Sequence, residues 1–205
     1  MPFDKRISLF LELGFRQEAI PQLRAFVDKL WSANDELNLI SRKMTFDDLI
    51  DNHVVDCLLP LKAFPVDIKT AADFGAGGGL PGVIYALQFP HIQYKLFEKS
   101  PKKQEFLNRC KTIAPNIEVF GEIPKNLEGI ELITARGFKP IDVILEMSRS
   151  YCNAGGNYFL LKARREKINE ELGLAQKKFK GLSIQVCPLK SPVLDVERHL
   201  VLIGP

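Results

Sequence analysis

The sequence predicts an α/β protein with a doubly wound, mostly parallel sheet of seven strands and a helical N-terminal extension. The first part of the chain has the apolar spacing of amphipathic helices, whereas from residue 70 short apolar runs alternate with helical segments. The last two apolar runs have no helix between them and are expected to pair antiparallel at the sheet edge. Because parallel strands need crossover connections, we expect one compact domain over residues 67–205, preceded by the extension over 1–66.

Three features predict the helices of the extension. Residues 7–13 are suited to a short helix that ends at Gly14. Pro21 fits the first turn of a longer helix, whose apolar stripe recurs every three to four residues. Thr45 and Asp48 have the spacing of a helix start. The stripe consists of Leu23, Phe26, Val27, Leu30 and Trp31.

The strands and helices of the larger domain follow from the alternation of short apolar runs with helical spacing. Strands are predicted at residues 70–74, 94–97, 117–120, 132–135, 158–161, 183–187 and 198–203. Helices are predicted to begin at about Leu80, Pro101, Pro140 and Glu166.

Composition excludes several classes of protein. Hydrophobic residues make up 46% and charged residues 26% of the 205 positions, which is typical of a globular protein and excludes wholesale disorder, collagen and disulfide scaffolds. No run approaches the roughly 18 apolar residues of a membrane span, and the first residues lack the features of a secretory signal. We therefore expect a cytoplasmic protein. The four cysteines lie far apart with no C-x-x-C pair, so we expect neither a metal site nor a redox motif.

The charge permits an anionic partner without requiring one. The net charge is +3, and basic residues concentrate within residues 99–111 and 162–167. Solvated helix faces and nucleic-acid binding explain either cluster equally well.

A glycine-rich turn is the most informative stretch. Residues 72–82, with the sequence ADFGAGGGLPG, directly follow the first predicted strand and open a helix. Glycines such as Gly75, Gly77 and Gly79 let a ligand approach the backbone, and in open α/β sheets nucleotide-like ligands bind beyond the carboxyl end of a strand. Glu98 ends the second strand, where a carboxylate can accept both hydroxyls of an adenosine ribose. A structural turn and a surface charge are the alternatives for these two features.

The glycine spacing favours one cofactor over another. It is G-x-G-x-G rather than G-x-G-x-x-G, and no G-x-x-x-x-G-K-[ST] pattern is present, which argues against a P-loop enzyme. S-adenosylmethionine (SAM) contains an adenosine but no phosphates, so the pattern fits SAM better than NAD. A nicotinamide-dependent oxidoreductase stays open at this point.

The glycine loop also resembles that of a known family, the bacterial 16S ribosomal RNA guanine-N7 methyltransferases (the glucose-inhibited division protein B family). The Leu-Pro-Gly that closes the loop, and the Glu-Arg-His near the end of the chain, are more specific than a general SAM motif. The resemblance implies a Rossmann-like class I methyltransferase fold, SAM as cofactor and 16S rRNA or the small ribosomal subunit as partner. The other matching stretches are Asn38-Leu39, His53-Val54-Val55-Asp56, Glu98-Lys99-Ser100, Ala135-Arg136-Gly137-Phe138, Leu161-Lys162-Ala163 and Glu197-Arg198-His199-Leu200-Val201.

Carried over by residue, the resemblance assigns the cofactor site. It implies contacts at the glycine loop, at the ribose carboxylate, at the turn that packs on adenine and at the end of the fourth strand. With the loop glycines, the predicted cofactor-binding residues are Gly75, Gly77, Gly79, Leu80, Glu98, Ile123, Pro124 and Arg136.

The chemistry of the implied reaction determines what else the site needs. Guanine N7 is a plain acceptor with a lone pair, so no general base is required, and holding N7 in line with the methyl group is the main contribution. We predict that Arg136 and Lys162 position the substrate. Lys162, Arg164 and Arg165 are predicted to bind RNA phosphates, and Phe138 to stack on a splayed base, although a core role for this ring is equally plausible.

Two further classes stay open on sequence alone. A methyltransferase acting on a protein or a small molecule would share the glycine loop and Glu98. A non-catalytic RNA-binding protein would bind RNA with salt-dependent affinity and show no stabilisation by a cofactor. A monomer is expected for the methyltransferase that acts on 16S rRNA.

Overall fold

The computed structural model describes residues 3–205 and contains one seven-stranded sheet; the first two residues of the predicted extension lie outside this part. The strand order is β3-β2-β1-β4-β5-β7-β6, which confirms the predicted class. All seven predicted strands are present, each with both ends within three residues of the predicted ends. The strands are β1 Thr70–Phe74, β2 Gln93–Phe97, β3 Ile117–Phe120, β4 Leu132–Arg136, β5 Asn157–Lys162, β6 Ser183–Lys190 and β7 Glu197–Gly204.

Strand direction and the place of the C-terminal pair both follow the prediction. Strands β1 to β5 pair in parallel, and β7 pairs antiparallel with both β5 and β6. The antiparallel pair of β7 and β6 lies at one edge of the sheet, as predicted, with β6 outermost and β7 between β5 and β6. The burial of both faces of β7 explains its position: its apolar residues Leu200, Val201 and Ile203 are all buried, as an interior strand requires.

The extension is helical, as predicted. The loop after α1 turns at Gly14, whose φ is +98°, and Pro21 lies in the first turn of α2. Thr45 and Asp48 form a reciprocal capping box at the start of α3. The helices are α1 Ile7–Glu12, α2 Ile20–Leu37, α3 Phe46–Leu49 and α4 Val55–Leu58, with a π-helical segment Ile50–Val54 between the last two and short 3-10 turns at Asp4–Arg6, Gln17–Ala19 and Leu61–Ala63.

The remaining helices cross between strands. The helix predicted from about Leu80 begins at Gly82, because residues 77–81 form a turn. The helix expected from Pro140 begins one residue later and is interrupted at Ser148. These helices are α5 Gly82–Gln88, α6 Pro101–Arg109, α7 Ile141–Met147, α8 Arg149–Asn153 and α9 Arg165–Lys178, with a 3-10 turn at Cys110–Thr112.

Two apolar clusters cover the two faces of the sheet. On one face, Phe26 and Leu30 of α2 belong to the same buried cluster as Ile84 of α5, so the extension packs on the larger domain. On the other face, α7 and α9 bury a second cluster that includes Ile133 and Tyr158. The parallel strands therefore present their carboxyl ends at one edge between these layers, where the predicted site residues lie. Within residues 3–205, no helix is both long and apolar enough to span a bilayer.

Candidate active site

The glycine loop is fixed to the end of β2 and passes close to an aromatic ring. The backbone N–H groups of Gly75 and Ala76 both donate to the carbonyl of Phe97, at 2.9 and 3.0 Å. Gly75 has a φ of +70°, and a Cβ atom there would lie 2.1 Å from Cδ2 of Phe138. The position therefore requires glycine on both grounds.

A buried carboxylate beneath the loop ties β1 to α5 and β4. Asp73 Oδ2 accepts from the backbone N–H of Gly82 at 3.1 Å, and Oδ1 accepts from the Thr134 hydroxyl at 2.8 Å. Burial raises the pKa of Asp73 to about 7, against the lowering effects of these hydrogen bonds. Sequence reasoning did not single out Asp73, although an acid inside an apolar strand just before a glycine loop is a readable signal.

The loop forms one wall of a cavity of about 500 Å³. Glu98 lies in this cavity, with Oε2 accepting from Gly77 N at 2.9 Å and Oε1 from Ser100 N at 2.8 Å. Each carboxylate oxygen has two lone pairs, so each retains one acceptor position. The cavity brings together the predicted residues Gly75, Gly77, Leu80, Glu98, Ile123, Arg136 and Phe138.

Two predicted cofactor residues lie elsewhere. Gly79 is absent from the cavity wall and faces Val83 and Phe26 instead. A Cβ atom at this position would lie 2.6 Å from Val83 Cγ2. Pro124 lines a separate cavity of about 210 Å³ behind Phe97.

The extension contributes a wall of the cavity that sequence reasoning did not assign. Leu39 and Ile40 line it, in a segment that follows the left-handed residue Asn38. The backbone N–H of Ile40 donates to the buried Oδ1 of Asn34 at 2.8 Å, which fixes this segment to the end of α2. His53 also lines the cavity, from the π-helical segment.

Arg136 is held by a network from the extension and from β7. Its Nη2 donates to the Asn52 carbonyl at 2.9 Å and to His53 Nδ1 at 2.8 Å, and lies 3.4 Å from Asp56 Oδ2. Arg198 Nε donates to the same Asp56 oxygen at 2.8 Å. Burial, together with the charges of Arg136 and Arg198, lowers the pKa of His53 to about 4, so the ring is neutral and its Nδ1 accepts.

A second cavity, of about 590 Å³, adjoins the first across the end of β4. His53, Arg136 and Phe138 line both cavities, and Asp56 and Lys162 line only the second. The predicted RNA-binding ring of Phe138 thus lies at the boundary between the two cavities.

The predicted cations are in different environments. Lys162 Nζ donates to Glu171 Oε2 at 2.7 Å and to the Lys139 carbonyl at 2.9 Å, so this amine is a largely buried ion-pair partner. Arg164 and Arg165 are exposed at the start of α9, with the backbone N–H of Arg165 donating to Glu197. The three do not form one cluster of free charges.

The first cavity fits SAM in size and in chemistry. Its volume is typical of a small-molecule site, and it combines loop glycines, an apolar wall and a carboxylate with free acceptor positions. Within the described residues 3–205, no group of three or more His, Cys, Asp or Glu side chains is placed to hold a metal ion. The arrangement can therefore position two reactants, one in each cavity.

Comparison with known proteins gives a family match. The family model GidB, described as rRNA small subunit methyltransferase G, matches residues 19–201. Ribosomal RNA small subunit methyltransferase G 1 of Bdellovibrio bacteriovorus is 67% identical over 201 residues and covers 98% of both chains. The corresponding methyltransferase G of Brachyspira hyodysenteriae is 34% identical over 174 residues, with 83% of each chain covered.

Solved structures share the fold at low sequence identity. An O-methyltransferase from Bacillus cereus, in complex with SAH, has a TM-score of 0.63 at 11% identity and covers 88% of this chain and 91% of its own. Fibrillarin from Aeropyrum pernix, with natively bound S-adenosyl-L-methionine, has a TM-score of 0.54 at 15% identity and covers 73% of each chain. The neighbours are SAM-dependent methyltransferases, which places the sheet in the class I methyltransferase fold.

Proposed function

The chain belongs to the rRNA small subunit methyltransferase G family, and from this premise we propose how its residues bring the two reactants together. It is a SAM-dependent enzyme that methylates N7 of a guanine in 16S rRNA. This activity excludes the oxidoreductase and the non-catalytic RNA-binding protein that the sequence left open. The observation that carries the proposal is a pair of adjoining cavities. The first contains Glu98 and the glycine loop, and Arg136 lies at its boundary with the second.

The first cavity holds the cofactor in this proposal. Glu98 accepts the two ribose hydroxyls with its free acceptor positions, while Gly75 and Gly77 let the backbone approach the ligand. Leu80 and Ile123 supply apolar contacts. Gly79 and Pro124 act indirectly, through the packing of the loop and of the turn behind Phe97.

The chain contributes position rather than proton transfer. SAM, when bound, supplies a methyl group on a positively charged sulfur. Guanine N7 has no proton to lose, which agrees with a site where His53 is held as a neutral acceptor of Arg136. Arg136 orients the base, and Phe138 stacks on it at the boundary between the cavities. Holding the base in line with the methyl group supplies much of the rate enhancement.

The predicted cations have two different roles, positioning and phosphate binding. Lys162 is a positioning residue, because its amine joins Glu171 to the carbonyl of Lys139, beside the second cavity. Arg164 and Arg165 bind RNA phosphates from their exposed positions at the start of α9. We also propose that the enzyme acts as a monomer in the cytoplasm, on 16S rRNA or the small subunit.

The test uses rRNA and small subunits from cells that lack this activity. The wild-type protein with SAM should produce N7-methylguanosine at one guanine, detected by chemical cleavage at that nucleotide. We expect Glu98→Gln to raise the Kd for SAM by roughly 10- to 100-fold in calorimetry, because charge-assisted hydrogen bonds to the ribose are lost.

The matched control for this variant is Glu122→Gln. Glu122 is exposed and lies 3.5 Å from Lys99, so the same change of charge leaves the cavity intact. An unchanged Kd in Glu98→Gln would remove the ribose assignment, whereas absence of N7-methylguanosine with the wild-type protein would contradict the activity itself.

A further inference from the structure

Asp56, which lines the second cavity, has a buried carboxylate oxygen with no hydrogen-bond partner among the described residues. Asp56 is only 4% exposed, and its Oδ2 accepts from Arg198 and lies within 3.4 Å of Arg136. Its Oδ1 is buried without a partner among the described residues. A buried acceptor without a donor is costly, and in a binding cavity it indicates a donor that arrives with the ligand.

The neighbouring groups on the protein match neighbouring groups on guanine. Asp56 is an acceptor and Arg136 is a donor, and the two are in direct contact. On the guanine ring, the N1–H donor and the O6 acceptor are likewise adjacent. Adenine carries the opposite pair, an N1 acceptor beside an N6 amine donor, so it would face a like group at both positions.

The same orientation directs N7 towards the cofactor. On guanine, O6 lies between the N1 edge and N7. Arg136 lines both cavities, whereas Asp56 lines only the second. A base in the second cavity that donates N1–H to Asp56 and accepts at O6 from Arg136 therefore directs N7 towards the first cavity, which contains Glu98.

We propose that Asp56 Oδ1 selects the target guanine by accepting its N1–H, with Arg136 donating to O6. The assignment rests on the proposed function, because it places the base in the second cavity. Methylation puts positive charge on the base, which the nearby guanidinium of Arg136 would repel. The carboxylate of Asp56, in contact with Arg136, reduces this repulsion. A small movement of the side chains around Oδ1 accompanies entry of the base.

The first experiment uses the wild-type protein and changes only the base. The guanine that is methylated in unmodified rRNA is mapped, and RNAs with a single replacement there are assembled by ligation. Transfer of the labelled methyl group from SAM is measured for guanosine, inosine, adenosine and 2-aminopurine riboside. Inosine keeps N1–H, O6 and N7, so kcat/KM should stay within about 10-fold of guanosine. The other two lack N1–H and O6 and should be at least about 100-fold slower, since two matched contacts are lost.

The second experiment changes the acceptor. Asp56→Asn supplies an amide N–H that can donate to adenine N1, so the preference for guanosine over adenosine should fall to below about 10-fold. Glu171→Gln is the matched control, because it neutralises another buried acid of the same cavity whose Oε2 is already paired. Its rate can fall, but its preference for guanosine should remain that of the wild type. SAM affinity by calorimetry verifies that each variant retains the first cavity.

Three results would overturn the assignment. They are methylation of adenosine within about 3-fold of guanosine by the wild-type protein, a loss with inosine as large as that with adenosine, and full guanosine preference in an Asp56→Asn variant that binds SAM. The wild-type series decides the matter even when Asp56→Asn does not fold. Lack of any methyl transfer to the unmodified RNA is a different outcome, which contradicts the proposed function instead.

Discussion

Asp73 and Asp56 are both buried at the same end of the sheet, and their surroundings differ. Asp73 has neutral donors, the Gly82 N–H and the Thr134 hydroxyl, and its pKa rises to about 7 because burial outweighs them. Asp56 instead contacts two guanidinium groups. A carboxylate beside neutral donors serves to hold the backbone of the loop, while one beside arginines can also take part in recognition.

The pKa of Asp73 predicts a pH-dependent stability. Its folded pKa of about 7 lies well above the ordinary pKa of an aspartate, 3.8, so the folded state binds the proton more tightly. The corresponding stabilisation is complete below about pH 4 and is lost as the pH rises towards 7, at about 1.4 kcal/mol per unit. In Asp73→Asn this dependence is absent. Denaturant unfolding of both proteins from pH 4.5 to 7.5 should therefore show that the wild type loses free energy of unfolding relative to Asp73→Asn as the pH rises. A difference between the two proteins that stays constant over this range would contradict the raised pKa.

At the scale of elements, the turn between β1 and α5 has a dual role. Gly75 and Gly77 line the cofactor cavity, but Gly82 serves packing, because a Cβ there would lie 2.5 Å from Leu96 Cδ2 and 2.7 Å from Asp73 Oδ2. Glycine at the start of α5 lets the helix approach β1 and β2 closely. The angle at which the loop leaves the sheet thus depends on a residue outside the cavity.

Gly82→Ala should lower the free energy of unfolding by about 2 kcal/mol, because the added methyl overpacks the contact with Asp73 and Leu96. Gly173→Ala is the opposite case within the same protein. Gly173 lies inside α9 with nothing within 4 Å of an added Cβ, so alanine should stabilise by up to about 1 kcal/mol. Chemical unfolding of both variants measures the two effects, and equal signs would refute the packing explanation.

Local patterns predicted the elements well and their long-range partners poorly. The alternation of short apolar runs with helical segments predicted every strand because that pattern is local, and the Thr45–Asp48 capping box depends on residues three apart. The partners of Asp56, Arg136 and Arg198, are 80 and 142 residues away, and no local pattern encodes such pairs.

At the scale of the whole molecule, the net charge of +3 is too small to explain RNA binding by itself. What matters is which cations are free to meet phosphates. Lys162 is engaged with Glu171, whereas Lys139 is an exposed residue of the second cavity and Arg164 is exposed next to Ala163, which also lines that cavity. Exposed cations near the cavity contribute to affinity and its salt dependence, and the buried one contributes to the fold.

Two variants should separate these roles. Arg164→Ala should weaken RNA binding and reduce the slope of log K against log salt by about 1, with unfolding unchanged. Lys162→Ala should lower the free energy of unfolding by about 3 kcal/mol, because Glu171 keeps a buried charge without its partner. Lys180→Ala, an exposed cation beyond the other end of α9, is the control for binding. A salt slope reduced by Lys180→Ala as much as by Arg164→Ala would contradict the assigned surface.

Strand β7 has a consequence for how the protein is made. It is last in chain order yet inserts between β5 and β6, and it supplies Arg198 to Asp56 and His199 to the carbonyl of Ala163. During synthesis these residues leave the ribosome exit tunnel after the six other strands of the sheet. A nascent chain therefore cannot assemble its substrate cavity until β7 has emerged, so the order of synthesis makes the RNA-binding half of the site the last part of the sheet to form.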